Sequence, residues 1–287
     1  MTGLRRGLAV PCFAEDPSEL IELGAAAERA GYDGFFLWDH LVFDDSGEGP
    51  PIVDPWLVLA VVAARTATIK IGTMITPVPR RRPWQLAKAT TTLDLISGGR
   101  VILGVGLGSP AYGDFGIFHE PSGARQRAEL LDEGLDVLAG LWSGERFSYA
   151  GAHFTVDPVR FAPVPVQRPR IPVWVGGVLP SRRPIARAAR WDGMVPIRPG
   201  PAARPSANDI ADVSQQIAAI RGDRGAGDGR TAGRYDLVVW AEVASGSADA
   251  AGLAAPYQQA GATWWIESAR PEPGWLQRAQ DRVAAGA

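Results

Sequence analysis

Cysteine is the scarcest chemistry-bearing residue: Cys12 is the only one in 287 residues. One chain can therefore form neither an internal disulfide nor a cysteine-based zinc or iron–sulfur site, and a reducing, cytoplasmic setting is expected. Histidine is nearly as rare, with His40, His119 and His153 the only three. His119 and His153 sit in loop-like stretches and read as simply solvated, so no His metal cluster, and no metal, is expected. No stretch approaches the roughly 20 apolar residues of a membrane-spanning helix. The first ten residues lack the small-residue cleavage site of a secretory signal, so they read as the start of the fold. Neither sign of charge prevails: 29 Lys and Arg against 31 Asp and Glu give a net charge of −2. That supplies no general field for nucleic acid or an anionic membrane, and neither is an expected partner. Lys70 and Lys88 are the only lysines, so 27 of the 29 basic residues are arginine, as GC-rich coding would give. Gly-x-Ser-x-Gly, P-loop and His-Glu-x-x-His motifs are missing, which removes the common hydrolase, nucleotidase and metalloprotease signatures.

What is present is an alternation of apolar runs and helical patterns from end to end, the mark of a parallel α/β fold. Apolar runs fall at 7–13, 35–38, 69–75, 101–105, 171–175, 193–197, 237–241 and 263–266. Helical patterns lie between them at 55–67, 83–96, 125–142, 184–189, 207–220, 248–260 and 274–283, and one more follows Asp16-Pro17-Ser18-Glu19. There Asp16 can cap, Pro17 fits the first turn, and Leu20, Leu23 and Ala27 share a face. Eight strand-and-helix units in a chain of this length predict a single-domain (β/α)8 TIM barrel over 1–287, with a doubly wound open sheet as the alternative. Residues 144–165 read as a hairpin inserted before the fifth strand, and 222–234 as a loop.

In such a barrel the site is built on the C-terminal ends of the strands. Strand two ends in Trp38-Asp39-His40, strand three in Thr73-Met74-Ile75-Thr76-Pro77, strand four in Gly104-Val105-Gly106-Leu107-Gly108-Ser109, and strand five in Gly176-Gly177. His40 follows an apolar strand with an acid beside it that could orient the ring, although neighbouring strand residues point to opposite faces. The blander reading is a buried histidine bonded to backbone. Gly106 to Ala111 formally matches a dinucleotide fingerprint, but a loop rather than a helix follows, so the strand-four glycines read better as room for a flat ligand. Gly176 and Gly177, with Ser181, Arg182 and Arg183 ahead of a helix, suit a phosphate, yet strand-end glycines also arise for purely steric reasons. The run Arg80-Arg81-Arg82 reads as a solvated face or as a contact for an anionic tail. Trp38, Trp56 and Phe115 suggest an apolar, aromatic substrate pocket, yet each could equally be core.

At these residues the sequence resembles the bacterial luciferase-like family of flavin- and deazaflavin-dependent oxidoreductases. The pieces occur in order along nearly the whole chain. They are Ala30-Gly31-Tyr32-Asp33-Gly34 leading to Trp38-Asp39-His40; Ile71-Gly72-Thr73; Leu93-Asp94 with Ser97-Gly98-Gly99-Arg100; Leu103 to Gly108; Pro172 to Gly177; Asp192-Gly193; and Ala260-Gly261-Ala262-Thr263-Trp264-Trp265. The resemblance implies a TIM barrel with a flavin-type ring at its C-terminal mouth, coenzyme F420 placed ahead of FMN. It also implies a non-prolyl cis peptide at Met74–Ile75, with Thr73, Met74, Ile75, Gly106 and Gly108 near the ring. Gly176, Gly177 and Arg182 fall near its phosphate, and His40, assisted by Asp39, at the reacting centre. The implied activity is hydride transfer with F420, or monooxygenation with FMN, on a small organic substrate. A non-catalytic flavin-binding protein of the same fold is the alternative, and a homodimer is expected. One departure stands out: deazaflavin sugar-phosphate dehydrogenases carry a glutamate after the strand-four glycines, where this chain has Ser109, which argues against that particular activity.

Overall fold

The computed structural model describes residues 3–199, 204–223, 235–242, 250–269 and 271–286. Strands and helices alternate as β1 (Arg5–Val10), α1 (Pro17–Arg29), β2 (Gly34–Leu37), α2 (Pro55–Arg65), β3 (Lys70–Pro77), α3 (Pro83–Ser97), β4 (Val101–Gly106) and α4 (Ala124–Trp142). A hairpin of β5 (Arg146–Ala150) and β6 (Thr155–Arg160) interrupts the pattern. It resumes with β7 (Val173–Val178), α5 (Arg182–Ala188), β8 (Gly193–Ile197), α6 (Ala207–Asp223), β9 (Asp236–Glu242), α7 (Ala250–Gln259), β10 (Trp264–Ser268) and α8 (Trp275–Ala284). Eight strands are hydrogen-bonded in the order β1-β10-β9-β8-β7-β4-β3-β2, which closes on itself, while β5 and β6 pair separately and antiparallel. The expected (β/α)8 barrel is therefore present, and the open sheet is not. The loop expected at 222–234 lies, beyond the end of α6, outside the described residues, as do the first two residues of the helix expected at 248–260.

By its contacts the chain divides into two compact units, one of residues 1–11, 23–36 and 173–287, the other of 12–22 and 37–172. The first holds β1, β7, β8, β9 and β10, and its core is aromatic: Trp174 and Trp264 meet at 5.2 Å between ring centroids, and Phe36 lies 5.5 Å from Trp174. A charged hub in it is Glu267, 2% exposed, which accepts from Tyr32, Arg6 and Arg282. Burial would raise this carboxyl, but the Arg282 and Arg6 guanidinium groups hold it below the usual carboxylate range.

The second unit carries α2, α3 and α4 beside β3 and β4. Asp54 starts α2 by accepting the N–H groups of Trp56 at 2.8 Å and Leu57 at 3.2 Å. In α4 the helical-period residues Leu131, Leu135, Leu138 and Trp142 are all fully buried, as their spacing predicts. The hairpin is fastened to α4 by Glu133, whose carboxylate accepts the N–H groups of Ala152, His153 and Phe154. His153, expected to be merely solvated, instead bonds Glu129 at 3.1 Å.

Candidate active site

Strand β3 does not run evenly along β4. Thr73 pairs with Leu103 and the next pair is Thr76 with Val105, so Met74 and Ile75 stand opposite the single residue Gly104. The Met74–Ile75 peptide is cis. Met74 is buried and Ile75 half-buried. Gly106 keeps β4 low beside this bulge: a Cβ there would sit 3.0 Å from Ile75 Cγ2.

The bulge is closed beneath by side chains. Thr73 and Thr76 hydroxyls meet at 2.8 Å, and Thr76 donates to Asp39 Oδ2 at 2.7 Å. Asp39, 1% exposed, is then gripped by two arginines, Arg80 Nη2 at 2.9 Å and Arg81 Nη2 at 2.6 Å from Oδ1. Burial alone would push this carboxyl up, but the charges of Arg81 and Arg80 hold it below the usual range. Two expectations change here. Asp39 does not assist His40, because every one of its bonds goes to Thr76, Arg80 and Arg81. Nor is the arginine run a solvated face: Arg80's side chain is 2% exposed, and of the three only Arg82 is fully exposed.

The acid that does meet His40 is Asp114, from the loop after β4, a residue that no motif singles out. Asp114 Oδ2 lies 2.7 Å from His40 Nδ1, and its Oδ1 accepts the Leu41 and Val42 N–H groups at 2.7 and 3.2 Å. Burial opposes its charge, but the hydrogen bonds from His40 and Leu41 and the charge of Arg80 lower the carboxyl below its ordinary value. An ionised carboxylate only accepts, so the proton between the two groups sits on Nδ1, and in the neutral ring that tautomer leaves the lone pair on Nε2.

An aromatic wall flanks this pair. Tyr112 stacks on Phe43 at 4.7 Å with an interplanar angle of 8°, and His40 stands edge-on to both at 4.9 Å from Phe43 and 5.4 Å from Tyr112. Trp38 lies 6.1 Å from His40. Trp56 and Phe115, expected in the pocket, are instead core residues at 7% and 0% exposure. Cys12 is no nucleophile, since burial pushes its thiol up to about 12. Among the described residues no His, Cys, Asp and Glu group could hold a metal. Nor is any described helix long and apolar enough to cross a membrane.

In the other unit, Gly176 and Gly177 lie inside β7, paired with Val195 and Pro196, rather than after the strand as expected. A Cβ on Gly177 would meet Pro184 Cβ at 2.4 Å, so packing of α5 already requires that glycine. Arg182 opens α5, exposed and with no bonded partner among the described residues. Beyond β8, Arg198 is committed to Asp209.

Several relatives share this chain's sequence. It is 35% identical over 186 residues to an F420-dependent glucose-6-phosphate dehydrogenase of Microbacterium testaceum, covering 64% of this chain and 54% of that protein. It is 34% identical over 180 residues to an F420-dependent hydroxymycolic acid dehydrogenase of Mycobacterium tuberculosis, covering 60% and 48%. The chain thus matches about half the length of these curated relatives. The fold is shared with the coenzyme F420-dependent tetrahydromethanopterin reductase of Methanopyrus kandleri, at a TM-score of 0.75 and 18% identity over 99% of this chain and 98% of that one. The sequence model of the luciferase-like monooxygenase family matches residues 4–285, and the chain belongs to that family.

Proposed function

We propose that the protein is an oxidoreductase that binds a flavin-type cofactor, coenzyme F420 ahead of FMN, and acts on a small uncharged organic substrate. The observation that carries this reading is His40, held at Nδ1 by an ionised Asp114 so that Nε2 is left to handle a proton beside an aromatic wall. The two F420-dependent relatives favour the deazaflavin.

The residues present suit a flat ring. The Met74–Ile75 bulge, with Ile75 half-buried, offers a backing, and Gly106 leaves no side chain over it. Thr73, Thr76 and Asp39 keep that backing in place rather than reacting. Gly108 lies just beyond on the same strand end. Taken by themselves, in the other unit, Gly176, Gly177 and exposed Arg182 suit a phosphate group. When bound, the deazaflavin would supply or accept a hydride. His40 Nε2 would take the proton of a substrate hydroxyl as the alcohol carbon is oxidised, or return it in the reverse direction. Asp114 would stabilise the imidazolium that results.

The substrate side differs from that of a sugar-phosphate enzyme. Ser109 occupies the position where those enzymes have glutamate, and its hydroxyl accepts the Ala111 N–H at 3.3 Å. Arg80 and Arg81 are spent on Asp39. Phe43 and Tyr112 favour an alcohol or carbonyl compound bearing an apolar or ring portion. A cytoplasmic homodimer completes the proposal. α2 and α3, which pack on each other, expose Leu57, Val61, Trp84, Leu95 and Ile96, an apolar face suited to a second copy.

The test is titration with F420 and FMN followed by absorbance, then turnover with a panel of alcohols and carbonyl compounds. Binding of one cofactor, with turnover lost in His40→Ala while binding persists, is the expected result. Binding of neither overturns the reading. Light scattering on a sizing column tests the dimer.

A further inference from the structure

Among the described residues Arg127 is a buried arginine beside this site that charge pairing does not explain. It sits in the first turn of α4, 7% exposed, and burial lowers its proton affinity with no carboxylate to offset that cost. Its Nε is buried without a hydrogen-bond partner. A buried cation left uncompensated costs stability, and an apolar side chain of similar volume would be tolerated as well or better. A counter-charge therefore does not account for an arginine here.

What it touches does. Nη1 donates to the Gly108 carbonyl at 3.0 Å, and the guanidinium lies over the Phe115 ring, 5.1 Å from its centroid. These are the two ends of one segment, 108–115. The ends also meet each other: Gly108, at φ +72°, leaves a space that a Cβ would fill 2.7 Å from the Phe115 ring. Between them the segment delivers Tyr112 to the aromatic wall. It turns at Gly113, at φ +78° and close against the Asp44 carbonyl, then places Asp114 on His40. We propose that Arg127 is a positioning residue that, by fastening both Gly108 and Phe115, sets the 108–115 segment so that Asp114 meets His40 Nδ1. This rests on the reading of His40 and Asp114 as the proton-handling pair. The geometric part, however, is measurable without any cofactor.

The experiment uses the full chain, labelled with ¹⁵N-histidine, as wild type, Arg127→Met, Arg127→Lys and Asp114→Asn. The His40 ring-nitrogen signals of Arg127→Met should move in the same sense as those of Asp114→Asn, with a smaller move for Arg127→Lys, which keeps the charge but loses the planar contact with Phe115. In turnover, Arg127→Met should lower kcat about 10- to 100-fold, the cost of a small misplacement, with cofactor affinity within about twofold. The Arg127→Met/Asp114→Asn double variant should be no slower than Asp114→Asn alone, because both act through one contact. Unmoved His40 signals in Arg127→Met, or losses that multiply in the double variant, overturn the proposal. If no cofactor supports turnover, the functional reading fails while the His40 signals still decide the role of Arg127. If Arg127→Met does not fold, Arg127→Lys decides by the same signals.

Discussion

Replacing Asp39 by Asn tests whether that carboxylate is structural or catalytic. In the folded protein Asp39 is 1% exposed and neutralises Arg80, whose side chain is 2% exposed, and Arg81, at 23%. An asparagine keeps the shape and can still accept from Thr76, but it leaves two guanidinium groups without a counter-charge, one of them fully out of water. Removing one partner of a buried pair costs about 3 to 5 kcal/mol. At about 2 to 4 °C per kcal/mol for a domain near this size, the melting temperature should fall by about 6 to 20 °C. Differential scanning calorimetry measures this directly. Below the melting range, the variant should keep its His40–Asp114 contact and most of its turnover per folded molecule. A melting point within about 2 °C of wild type, coupled to a large loss of kcat, would refute the assignment and return Asp39 to the reacting centre.

Asp114→Asn should do the opposite. Its oxygen would keep the Leu41 and Val42 N–H groups, turning its amide N–H toward His40 Nδ1 and moving the ring proton to Nε2. kcat should fall about 10²- to 10⁴-fold, the usual worth of a positioned acid–base group, with modest destabilisation by calorimetry. Stability should be lost on the acid side. Asp39, Asp114 and Glu267 all have folded carboxyl values below their unfolded ones. Their stabilisation is therefore complete above the unfolded value of about 4 and disappears as pH falls through the folded values. Melting temperature against pH should be flat from about 8 to 5 and then drop, and Asp39→Asn should show a shallower acid limb. Cys12, buried with its thiol pushed up to about 12, should resist a thiol reagent at pH 8 until the protein is unfolded, as absorbance of the released chromophore would report.

The barrel was legible because it rests on local periodicity. Eight apolar runs, their helices, and the core face of α4 all follow from patterns a few residues long. His40 was legible for a related reason, as a polar residue directly beyond an apolar strand. The pairings around it were not. Asp39 neighbours His40 in sequence yet bonds residues 41 and 42 positions away, and Asp114 reaches His40 across 74 positions. Nothing local marks such partners, since the barrel's strand order is what sets them side by side. The only hints were weak: a loop, Gly108 to Gly113, with glycine at both ends and leading to an acid, and an arginine run directly after a strand end. At Gly177 the steric alternative is the one the packing displays, since its missing side chain makes room for Pro184; a glycine in a sequence does not say which demand it meets.

The central claim is that His40, set by Asp114, handles a proton next to a bound flavin-type cofactor. It is tested most directly by one paired measurement, F420 binding and turnover for wild type and His40→Ala side by side. The account predicts that both proteins bind the cofactor with affinities within about threefold, while only the wild type oxidises or reduces substrate at a measurable rate. Equal turnover in the two, or failure of the wild type to bind either F420 or FMN, would contradict it.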